Sequence, residues 1–544
     1  MKKRRLKEEV AFAEKVRGLL KEEAEDLSLL EWCSRYIKIR GEEFSLGDHP
    51  YLEEIYGKHH PYMVFEKGAQ VGISTYTLLK SLWLCDTHHA KVIYYFPTDS
   101  DVSDFSNDRC MPVIRDSDYL STRVAGIDNV GLKQIGDSSI YFRGMYSKIK
   151  VKSVDADVLV FDELDECKQE NKQYALDRIL HSKLKWVMEL SQPSIPDFGV
   201  DLEFKKSDQR FWHIRCSGCR RWVCLEESFP ACIGVKKEII EFACPKCGKK
   251  LNRSKGEWIA KYPSRKERRG YHLSQLFSLF ISAKEVWDAF ISARRTFERV
   301  RFYNSLLGFA YAGDRQPLTE EILDRCEGDW GLRVPPENSA VYMGVDVGDL
   351  LHVAIGHSID LERISTDYLE VTSDWARLYW LMEHMGVNVC VIDALPYKNS
   401  AKKFARKFRK KVYIQYFKEM ALKTREEGEG MDAVPVVLTD RTESLDETVD
   451  MLKRGDILIP AMSKCFGKDL ETLETFRKHL KMLVKDEVES ARGEKKFVYK
   501  RNVENHFGMA LNSMRIARDI APHLVVPYEY EGVSRMAVNG MGVW

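Results

Sequence analysis

Short apolar runs recur through the first third of the chain and predict its strands. The runs are rich in β-branched and aromatic residues and lie at 62–65 (YMVF), 92–99, 139–144, 156–166 and 186–194. After the first run, residues 74–84 (STYTLLKSLWL) place apolar side chains at helical spacing. Alternating strands and helices are typical of a largely parallel sheet, so the pattern predicts an α/β fold.

The segment 66–75, EKGAQVGIST, joins the first strand to the first helix and resembles a phosphate-binding loop. A standard loop reads G-x-x-x-x-G-K-[ST], and its lysine reaches the β- and γ-phosphates. Here Ile73 stands at the lysine position. Lys67, at the opening of the loop, can place its ammonium over the same phosphates. The predicted nucleotide-binding residues are Lys67, Gly68, Ala69, Gln70, Val71, Gly72, Ile73, Ser74 and Thr75.

Within this loop, the Ser74 or Thr75 hydroxyl is a candidate Mg²⁺ ligand. An ordinary glycine-containing turn is the alternative interpretation of the loop alone. The apolar run ADVLVFDELDE ends in Asp162 and Glu163, where open α/β sheets bind ligands. Asp162 is predicted to serve Mg²⁺, and Glu163 to polarise the attacking water. A solvated acidic turn is the alternative for that pair.

Two arginines are candidates for stabilising charge in the transition state of ATP hydrolysis. Arg109 and Arg143 lie between the loop and the acidic pair. Either could act within its own chain or on a neighbouring one. As isolated arginines they fit ordinary surface ion pairs equally well.

Composition narrows the class of protein without identifying it. The 84 Lys and Arg nearly cancel the 83 Asp and Glu, so a nucleic-acid partner must be held by local basic patches. No apolar run approaches the ~20 residues that cross a bilayer. The start of the chain, residues 1–27, interleaves charges of both signs. We therefore expect a protein of the cytoplasm with no membrane partner.

Four of the thirteen cysteines form two C-x-x-C pairs, at Cys216 and Cys219 and at Cys244 and Cys247. Each pair can present two thiolates to one ion, and four thiolates complete a closed tetrahedral Zn²⁺ shell. Because such a shell has no open position for chemistry, the predicted zinc site is structural. A chance clustering of cysteines is the alternative.

The second half of the chain carries acids at predicted strand ends. Residues 317–340 break the periodicity, contain Pro-Pro and predict a linker. Beyond them, 341–356 predicts a strand, a turn and a strand, as in the first hairpin of an RNase H-like fold, and includes Asp346. Another apolar run, 387–397, contains Asp393. Two such acids can clamp divalent ions across a phosphodiester, which predicts a nuclease.

A third acid is expected from the late helix-like stretch 503–520, which offers Glu504, Asn505 and His506. Asn505 is neutral and a poorer Mg²⁺ ligand than aspartate. The sequence therefore leaves open whether Glu504 or His506 compensates, or whether this site is weak or inactive.

The order of these motifs resembles the large terminase subunit of tailed double-stranded DNA phages, most closely the lambda-like branch with zinc-ligand cysteines. The resemblance spans nearly the whole chain. Besides the motifs above, it is carried by FSNDR and MPVI (105–114), SQPS (191–194), SDQR (207–210), FYNSLLGFAY (302–311), GVDVG (344–348), VIDA (391–394) and DRTESLDETV (440–449).

In that family a lysine or arginine at the start of the loop commonly serves the phosphates, which matches Lys67. Two positions depart from the family. The late helix there tends to read Asp-His-Phe where this chain has Asn505-His506-Phe507, and the lambda-like branch tends to have arginine at the position of Gln70.

The resemblance implies an ATP-driven motor that moves double-stranded DNA into procapsids, and an endonuclease that cuts concatemeric DNA with Mg²⁺ or Mn²⁺. It implies the small terminase subunit and the capsid portal protein as partners, a homo-oligomeric ring during packaging, and the host cytoplasm as location. By position, Lys67, Gly72 and Ser74 would bind ATP, Asp162 would serve Mg²⁺, and Glu163 would be catalytic. Asp346 and Asp393 would hold the nuclease metals.

The predicted fold is α/β, with an N-terminal P-loop (RecA/ASCE-like) ATPase domain carrying a zinc-ribbon insertion and a C-terminal RNase H-like nuclease domain. The predicted parts are an adenine-side segment 1–60, the ATPase 61–316 with its zinc insertion at about 205–265, the linker 317–340, the nuclease 341–524 and a tail 525–544. The alternatives are a zinc-ribbon nucleic-acid-binding scaffold and a helicase-like repair translocase with a nuclease domain.

Overall fold

The computed structural model describes residues 27–521 apart from 125–126, 237–238, 294–295, 361, 490–494 and 502. The charged start of the chain up to residue 26 and the predicted tail therefore lie outside the described residues. The chain divides into two compact units, Met1–Asp314 and Arg315–Trp544.

The first unit is built on a large sheet with a parallel centre. The strand order is β11-β10-β15-β3-β9-β8-β4-β7-β6-β5, with β14 paired to β10. The strands are β1 Lys38–Ile39, β2 Glu42–Glu43, β3 Tyr62–Lys67, β4 Val92–Phe96, β5 Asp128–Asn129, β6 Leu132–Ile135, β7 Ser138–Gly144, β8 Val158–Asp162, β9 Trp186–Ser191, β10 Arg210–Arg215, β11 Trp222–Cys224, β12 Ile233–Lys236, β13 Ile239–Phe242, β14 Gly256–Ala260 and β15 Arg269–Leu273.

The five apolar runs singled out in the sequence are β3, β4, β7, β8 and β9, and all of them pair in parallel within this sheet. Strand β9 lies between β3, which leads into the loop, and β8, which ends in the acidic pair. This is the predicted ASCE-like arrangement. Every residue of β4 and β8 is buried, as expected for parallel strands covered on both faces.

Helices cover both faces of this sheet. They are α1 Leu29–Tyr36, α2 Glu53–Gly57, α3 Ile73–His88, α4 Asp99–Phe105, α5 Met111–Asp116, α6 Asp118–Arg123, α7 Lys148–Val151, α8 Lys172–Leu176, α9 Gly199–Lys206, α10 Leu225–Ser228, α11 Ala283–Ser292 and α12 Thr296–Arg301. Helix α3 is buried from Tyr76 to Thr87, because it runs through the core beneath the sheet.

The cysteine-bearing segment, predicted to be a zinc-ribbon insertion within the ATPase domain, extends the ATPase sheet. Strand β10 pairs with β15 in parallel and with β11 and β14 antiparallel. Only the hairpin β12–β13 stands apart from the main sheet in this described segment. The cysteine pairs thus lie at the edge of the sheet that carries the loop strand.

The second unit contains a mixed sheet of order β21-β22-β20-β19-β16-β17-β18-β23. The strands are β16 Val341–Val347, β17 Leu351–Ser358, β18 Ile364–Thr372, β19 Val389–Asp393, β20 Val412–Phe417, β21 Lys423–Glu427, β22 Val434–Thr439, β23 Ile457–Leu458, and the separate pair β24 Lys485–Glu489 and β25 Lys495–Tyr499. An antiparallel meander, β16 to β18, is followed by β19 and β20 in parallel on the other side of β16. This is the predicted nuclease-like topology.

The helices of the second unit are α13 Glu320–Arg325, α14 Trp375–His384, α15 Lys398–Lys407, α16 Arg441–Arg454, α17 Lys468–Lys481 and α18 His506–Asp519. Helix α18 packs closely on β16. The contact depends on Gly344, where a Cβ would overlap the Ala510 carbonyl oxygen and the Met514 amide. The late helix is thereby held against the strand that carries Asp346.

Residues 317–340, predicted to be a linker, instead form part of the second unit. Helix α13 lies within this range, and Leu318, Leu323 and Cys326 are buried in the core of the unit. Arg477 of α17 binds Glu320, Asp324 and Glu327. The prolines interrupt the apolar periodicity locally, but the apolar residues near them are buried in the core of the second unit.

Among the described residues, no helix combines the length and the apolar character that crossing a bilayer requires.

Candidate functional site

The loop after β3 is shaped by backbone that few residues adopt. Gln70 has a φ of 55° and Gly72 a φ of 83°, and Gly72 is the N-cap of α3. A Cβ at Gly68 would lie 2.8 Å from the Ser305 carbonyl oxygen, so the close approach requires glycine. The loop therefore turns directly into the N-terminus of a helix of 16 residues, whose first amides and positive dipole end favour an anion.

Neighbouring segments fix the loop from the side. Gly68 donates its amide to the Leu273 carbonyl oxygen at 2.7 Å, and Ala69 donates to Ser305 at 2.7 Å. Tyr51 donates its hydroxyl to the Val71 carbonyl oxygen at 3.3 Å. The predicted adenine-side segment therefore does reach the loop, through the residues around Tyr51.

Lys67 lies at the end of β3 and reaches across the sheet to the acidic pair. Its Nζ donates to Glu163 Oε1 at 2.9 Å, and the lysine side chain is only 7% exposed. Glu163 also accepts from Ser191 Oγ and from the Gln192 amide, each at 3.4 Å. Its own backbone has a φ of 50°, an uncommon value for a glutamate. The displaced cation, the predicted catalytic carboxylate and the SQPS turn thus meet at one point.

Asp162 is buried beside this pair. Tyr94 donates its hydroxyl to Oδ2 at 3.0 Å, and Ser74 donates to Oδ1 at 3.5 Å. Burial and, after it, the charge of Glu163 raise the pKa of Asp162 to about 6, while Lys67 opposes the rise. A loop hydroxyl and a strand-end carboxylate facing each other are the ligands that nucleotide-bound Mg²⁺ takes in P-loop enzymes. The residues present therefore fit Mg²⁺.

A cavity of about 580 Å³ opens in front of these groups. It is lined by Ser74, Asp162, Glu163 and Arg109, with further acids at its rim, Asp101, Asp104, Asp108 and Glu166. Arg109 thus faces the predicted site of hydrolysis. Gln70 lines a different cavity, of about 460 Å³, with Arg301 on its wall.

Arg143 does not line either of these cavities. Its guanidinium donates to the carbonyl oxygens of Gly131 and Phe142 at 3.0 and 3.1 Å. A role toward ATP in its own chain finds no support in this arrangement, whereas a role toward a neighbouring chain stays a prediction.

The four paired cysteines converge. Their sulfur atoms all lie within 4.8 Å of one another, with 3.5 Å between Cys216 and Cys247 and 3.7 Å between Cys219 and Cys244. Zn–S bonds of about 2.3 Å in a tetrahedron separate sulfurs by about 3.8 Å. A backbone hydrogen bond from Cys219 lowers the pKa of Cys216 to about 6. The donor set therefore fits a tetrahedral zinc ion.

Each cysteine pair lies in the same kind of turn. Cys216 accepts at its carbonyl oxygen from the Arg220 amide, and Cys244 accepts likewise from Gly248. Arg220 and Gly248, the residues after the second cysteine of each pair, both have positive φ, 58° and 68°. Two equivalent turns presenting two sulfurs each are the arrangement that the C-x-x-C spacing predicts.

In the second unit, Asp346 and Asp393 come from the neighbouring parallel strands β16 and β19. Burial raises the pKa of Asp393 to about 7, and the Asp346 carboxylate contributes to the rise. Arg441 is close enough to interact electrostatically with both acids, and it donates to the Tyr499 carbonyl oxygen at 2.8 Å. Sequence reasoning did not identify Arg441.

Three histidines form a cluster beside β16, and one of them contacts Asp346. His506 Nδ1 lies 2.8 Å from Asp346 Oδ2. His352 stacks on His506 with ring centroids 4.7 Å apart, and the ring of His479 lies 5.5 Å from that of His352. Burial lowers the pKa of His352 to about 4 and that of His479 to about 3. These two rings are therefore neutral at physiological pH.

The candidates for the third ligand lie in three different environments. His506 contacts Asp346, as given above. Asn505 is buried as the N-cap of α18 and donates from Nδ2 to the Lys500 carbonyl oxygen at 3.4 Å. Glu504 pairs with Lys478 at 2.8 Å. Of the alternatives that the sequence left open, the geometry favours His506.

Comparison with known proteins supplies the family. Residues 44–261 match the family model described as phage terminase large subunit gpA, ATPase domain. This segment of the chain is similar to the ATPase domain of phage terminase large subunits. No curated protein matches it at a significant level. The match favours the packaging ATPase over the scaffold and the helicase-like translocase that the sequence left as alternatives.

Several solved terminase structures are similar to this chain in fold. The large terminase of bacteriophage HK97 has 9% identity and a TM-score of 0.45, and the match covers 89% of this chain and 98% of that one. The large terminase ATPase domain of the Thermus phage P74-26 has 11% identity and a TM-score of 0.31, covering 50% and 95%. The large terminase nuclease of the thermophilic phage G20c with bound magnesium has 14% identity and a TM-score of 0.25, covering 36% and 94%. Because these values are low, the assignment rests on the family model.

The predicted packaging ATPase is supported by the family match over residues 44–261, and the predicted endonuclease stays a prediction. Terminase large subunits act on DNA with other packaging components, and ATP and Mg²⁺ fit the family. The zinc-bearing branch stays a prediction.

Sequence reasoning missed Tyr94 and His352. Each follows from strand pairing and not from a local motif, since Tyr94 lies on the strand next to that of Asp162 and His352 lies opposite Asp346.

Proposed function

We propose that the first unit of this terminase hydrolyses ATP with Lys67, Ser74, Asp162 and Glu163, and that the second unit cuts DNA with Asp346 and Asp393. The observation that carries the first part is the 2.9 Å contact between Lys67 Nζ and Glu163 Oε1. A cation at the opening of the loop reaches the site of hydrolysis, as the lysine of a standard loop would.

Lys67 and Glu163 neutralise each other in their ion pair. A triphosphate in the cavity would compete with Glu163 for the ammonium, because it brings more negative charge than a single carboxylate. Glu163 would then be free to accept a proton from the water that attacks the γ-phosphorus as ADP leaves. The positions of Lys67 and Glu163 therefore couple nucleotide binding to the availability of the base.

Within the same site, Ser74 and Asp162 are the groups that would hold Mg²⁺. When bound, that ion would neutralise charge that develops on the phosphate oxygens. Arg109, on the wall of the cavity, would contribute a further positive charge. Tyr94 orients Asp162 through its 3.0 Å hydrogen bond and so fixes the carboxylate toward the loop.

For the second unit, Asp346 and Asp393 would hold divalent cations, which supply a Lewis acid and an activated water for phosphodiester hydrolysis. Arg441 would position DNA by its charge. The substrate is taken to be double-stranded DNA, with the small terminase subunit and the portal protein as partners in a ring, because these belong to the family's function.

We further propose zinc at Cys216, Cys219, Cys244 and Cys247, where the sulfur separations suit a closed tetrahedral site. Its role is to hold the two turns together at the edge of the ATPase sheet. Metal analysis of the purified chain should find one zinc per chain, and Cys216→Ser should lose it and lower the melting temperature by several degrees. Full zinc content in that variant would contradict the assignment.

The two activities should separate in the full-length protein. Asp162→Asn should remove DNA-stimulated ATP hydrolysis and leave plasmid cleavage intact, whereas Asp393→Asn should do the reverse. Asp155→Asn, before the start of β8 and in a solvent-facing pair with Lys91, serves as the control for ATP hydrolysis. If the wild type hydrolysed ATP no faster than background, the proposed ATPase would be contradicted. If plasmid cleavage survived Asp393→Asn, the proposed nuclease site would be contradicted.

A further inference from the structure

The register of the first hairpin in the second unit places a histidine beside the first of the two acids. Strands β16 and β17 pair antiparallel, and Asp346 lies directly opposite His352. Side chains of such a pair project from the same face of a sheet, with Cβ atoms about 5 Å apart. His506, the first residue of α18, approaches the same carboxylate at 2.8 Å. Strand register and helix docking thus bring one acid and two imidazoles together.

The separations suit a single ion. One ligand atom from each of Asp346, His352 and His506 can be chosen so that all lie within 4.8 Å of one another. An octahedral cation with bonds of about 2.1 Å holds adjacent ligand atoms about 3.0 Å apart and opposite ones about 4.2 Å apart. Small side-chain rotations would bring the three atoms to those distances.

An independent observation comes from His352 itself. The residue is 7% exposed, and its Nδ1 is buried with no hydrogen-bond partner among the described residues. A hydrogen bond with the Leu350 backbone opposes the lowering of the pKa of the His352 ring, but Nδ1 itself makes no hydrogen bond. Buried polar atoms in proteins are nearly always paired, so one without a partner calls for an explanation. An ion beside the Asp346 carboxylate would satisfy this nitrogen.

We propose that His352 and His506 join Asp346 as ligands of one divalent cation, and that this ligand set shifts the preference of the site from Mg²⁺ toward Mn²⁺ and later first-row metals. Imidazole nitrogen suits transition metals, whereas Mg²⁺ prefers oxygen ligands alone. The inference rests on the proposed nuclease for its biological role, although cation binding itself can be measured without DNA.

A purely structural role for the histidines makes a different prediction. The rings of His352 and His506 stack at 4.7 Å with 17° between their planes, and the ring of Phe507 lies 5.0 Å from that of His352. If the rings serve only to fill this space, phenylalanine should replace either one with no effect on cation binding.

The test uses the full-length chain with zinc and without nucleotide. Binding of Mn²⁺ is followed by the loss of the free-ion signal in electron paramagnetic resonance, and Mg²⁺ binding by competition against Mn²⁺. The variants are His352→Phe, His506→Phe and Asp346→Asn. His384→Phe is the matched control, since His384 also stacks on an aromatic ring, that of Trp380 at 4.5 Å, but lies exposed on α14.

We expect His352→Phe and His506→Phe each to raise the Kd for Mn²⁺ at least about tenfold, which is the lower end of the loss seen for residues that support metal ligands. The Kd for Mg²⁺ should change less, so the Mn²⁺ preference should fall. Asp346→Asn should weaken both ions, and His384→Phe neither. Far-ultraviolet circular dichroism and the melting temperature confirm folding, and His352→Gln replaces His352→Phe if the latter does not fold.

Wild-type chain without Mn²⁺ binding at this site, or histidine variants that keep both the Mn²⁺ affinity and the Mn²⁺ preference, would overturn the inference. Failure of the nuclease proposal would look different. Histidine-dependent Mn²⁺ binding without plasmid cleavage would remove the nuclease and retain the ligand set. If His352→Phe changed neither the Mg²⁺-supported cleavage nor the Mn²⁺ binding, the nuclease would be retained and the histidine ligands would be rejected.

Discussion

The two units place pairs of acids at equivalent positions and balance their charge in different ways. In both units the acids lie at the carboxyl ends of parallel strands, Asp162 with Glu163 in the first and Asp346 with Asp393 in the second. In the first, Lys67 of the chain itself forms an ion pair with Glu163. In the second, imidazoles surround Asp346.

This difference follows from what each site must accept. A site with an internal cation can bind a polyanion such as a triphosphate, because the phosphates can replace the carboxylate as the ion-pair partner of the lysine. In the second site Arg441 is close enough to interact with both acids, but the carboxylates and the neutral His352 imidazole offer oxygen and nitrogen ligands that favour an external cation. Burial raises the pKa of Asp162 to about 6 and of Asp393 to about 7, so a positive partner is needed to stabilise the charged form of each carboxylate.

The largest expected effect comes from removing the base of the first site. Glu163→Gln should lower ATP hydrolysis by about 10²- to 10⁴-fold, the range for loss of a general base. The same change should tighten nucleotide binding, because Lys67 loses its competing carboxylate. Steady-state ATP hydrolysis and titration with a fluorescent ATP analogue measure the two effects. Glu166→Gln, on the rim of the same cavity, is the control, and weaker nucleotide binding in Glu163→Gln would contradict the ion-pair argument.

Removing the internal cation should have the next largest effect. Lys67→Ala should lower ATP hydrolysis by roughly 10- to 100-fold, since a hydrogen bond to a charged group contributes about 1.5–3 kcal/mol. Lys67→Arg should retain more activity, because it keeps the charge. The control is Lys91→Ala, a lysine just before β4 that pairs with Asp155. Unchanged ATP consumption in Lys67→Ala would remove the basis for the proposed motor site.

A smaller effect is expected where the family pattern would place a third acid in the second site. Asn505→Asp should give no gain in plasmid cleavage with Mg²⁺ or Mn²⁺, because the Asn505 side chain bonds to the Lys500 carbonyl oxygen. Glu504→Gln, which breaks the pair with Lys478, should likewise change cleavage little. Cleavage by a series of variants on one plasmid is the measurement. A several-fold rise in Asn505→Asp would return the third ligand to that position.

The smallest effect concerns Lys80, a second buried lysine of the first unit, whose contacts differ from those of Lys67. Lys80 donates to His59 Nδ1 at 2.8 Å and lies 4.8 Å from the ring centroid of Trp186. Burial lowers its pKa to about 7, and the charge of Arg269 contributes to the shift. The unfolded chain therefore binds more protons than the folded chain between about pH 7 and the ordinary lysine value, so stability rises with pH in this window.

Melting temperatures at pH 7 and pH 9 test this sign. The wild type should gain stability over that interval relative to Lys80→Met, which removes the titrating group and keeps the apolar stem. Lys91→Met serves as the matched control at a partly exposed position. An equal pH dependence in the wild type and Lys80→Met would show that Lys80 is not held near neutrality by burial.

Much of the fold could be predicted from the sequence, since strands buried on both faces leave continuous apolar runs such as 158–161. The helix after the loop and the first hairpin of the second unit could be predicted in the same way. The prediction of a linker at 317–340 was wrong. Its prolines interrupt the apolar periodicity, so the pattern did not reveal that Leu318, Leu323 and Cys326 are buried in the core of the second unit. The cysteine segment was predicted to be an insertion because its pairing with β15 is not visible in a local pattern.

The sequence by itself indicated the candidate chemistry of this chain, because the loop, the acidic strand ends and the cysteine pairs are local patterns whose spacing reflects local backbone geometry. Tertiary structure decided which groups meet. Strand order, register and helix docking decide three contacts. They place Lys67 against Glu163, direct Arg143 to backbone carbonyl oxygens instead of the cavity, and bring His352 and His506 together beside Asp346. These contacts join residues far apart in the chain, and a pattern read along the chain carries no information on the pleat and packing that bring them together.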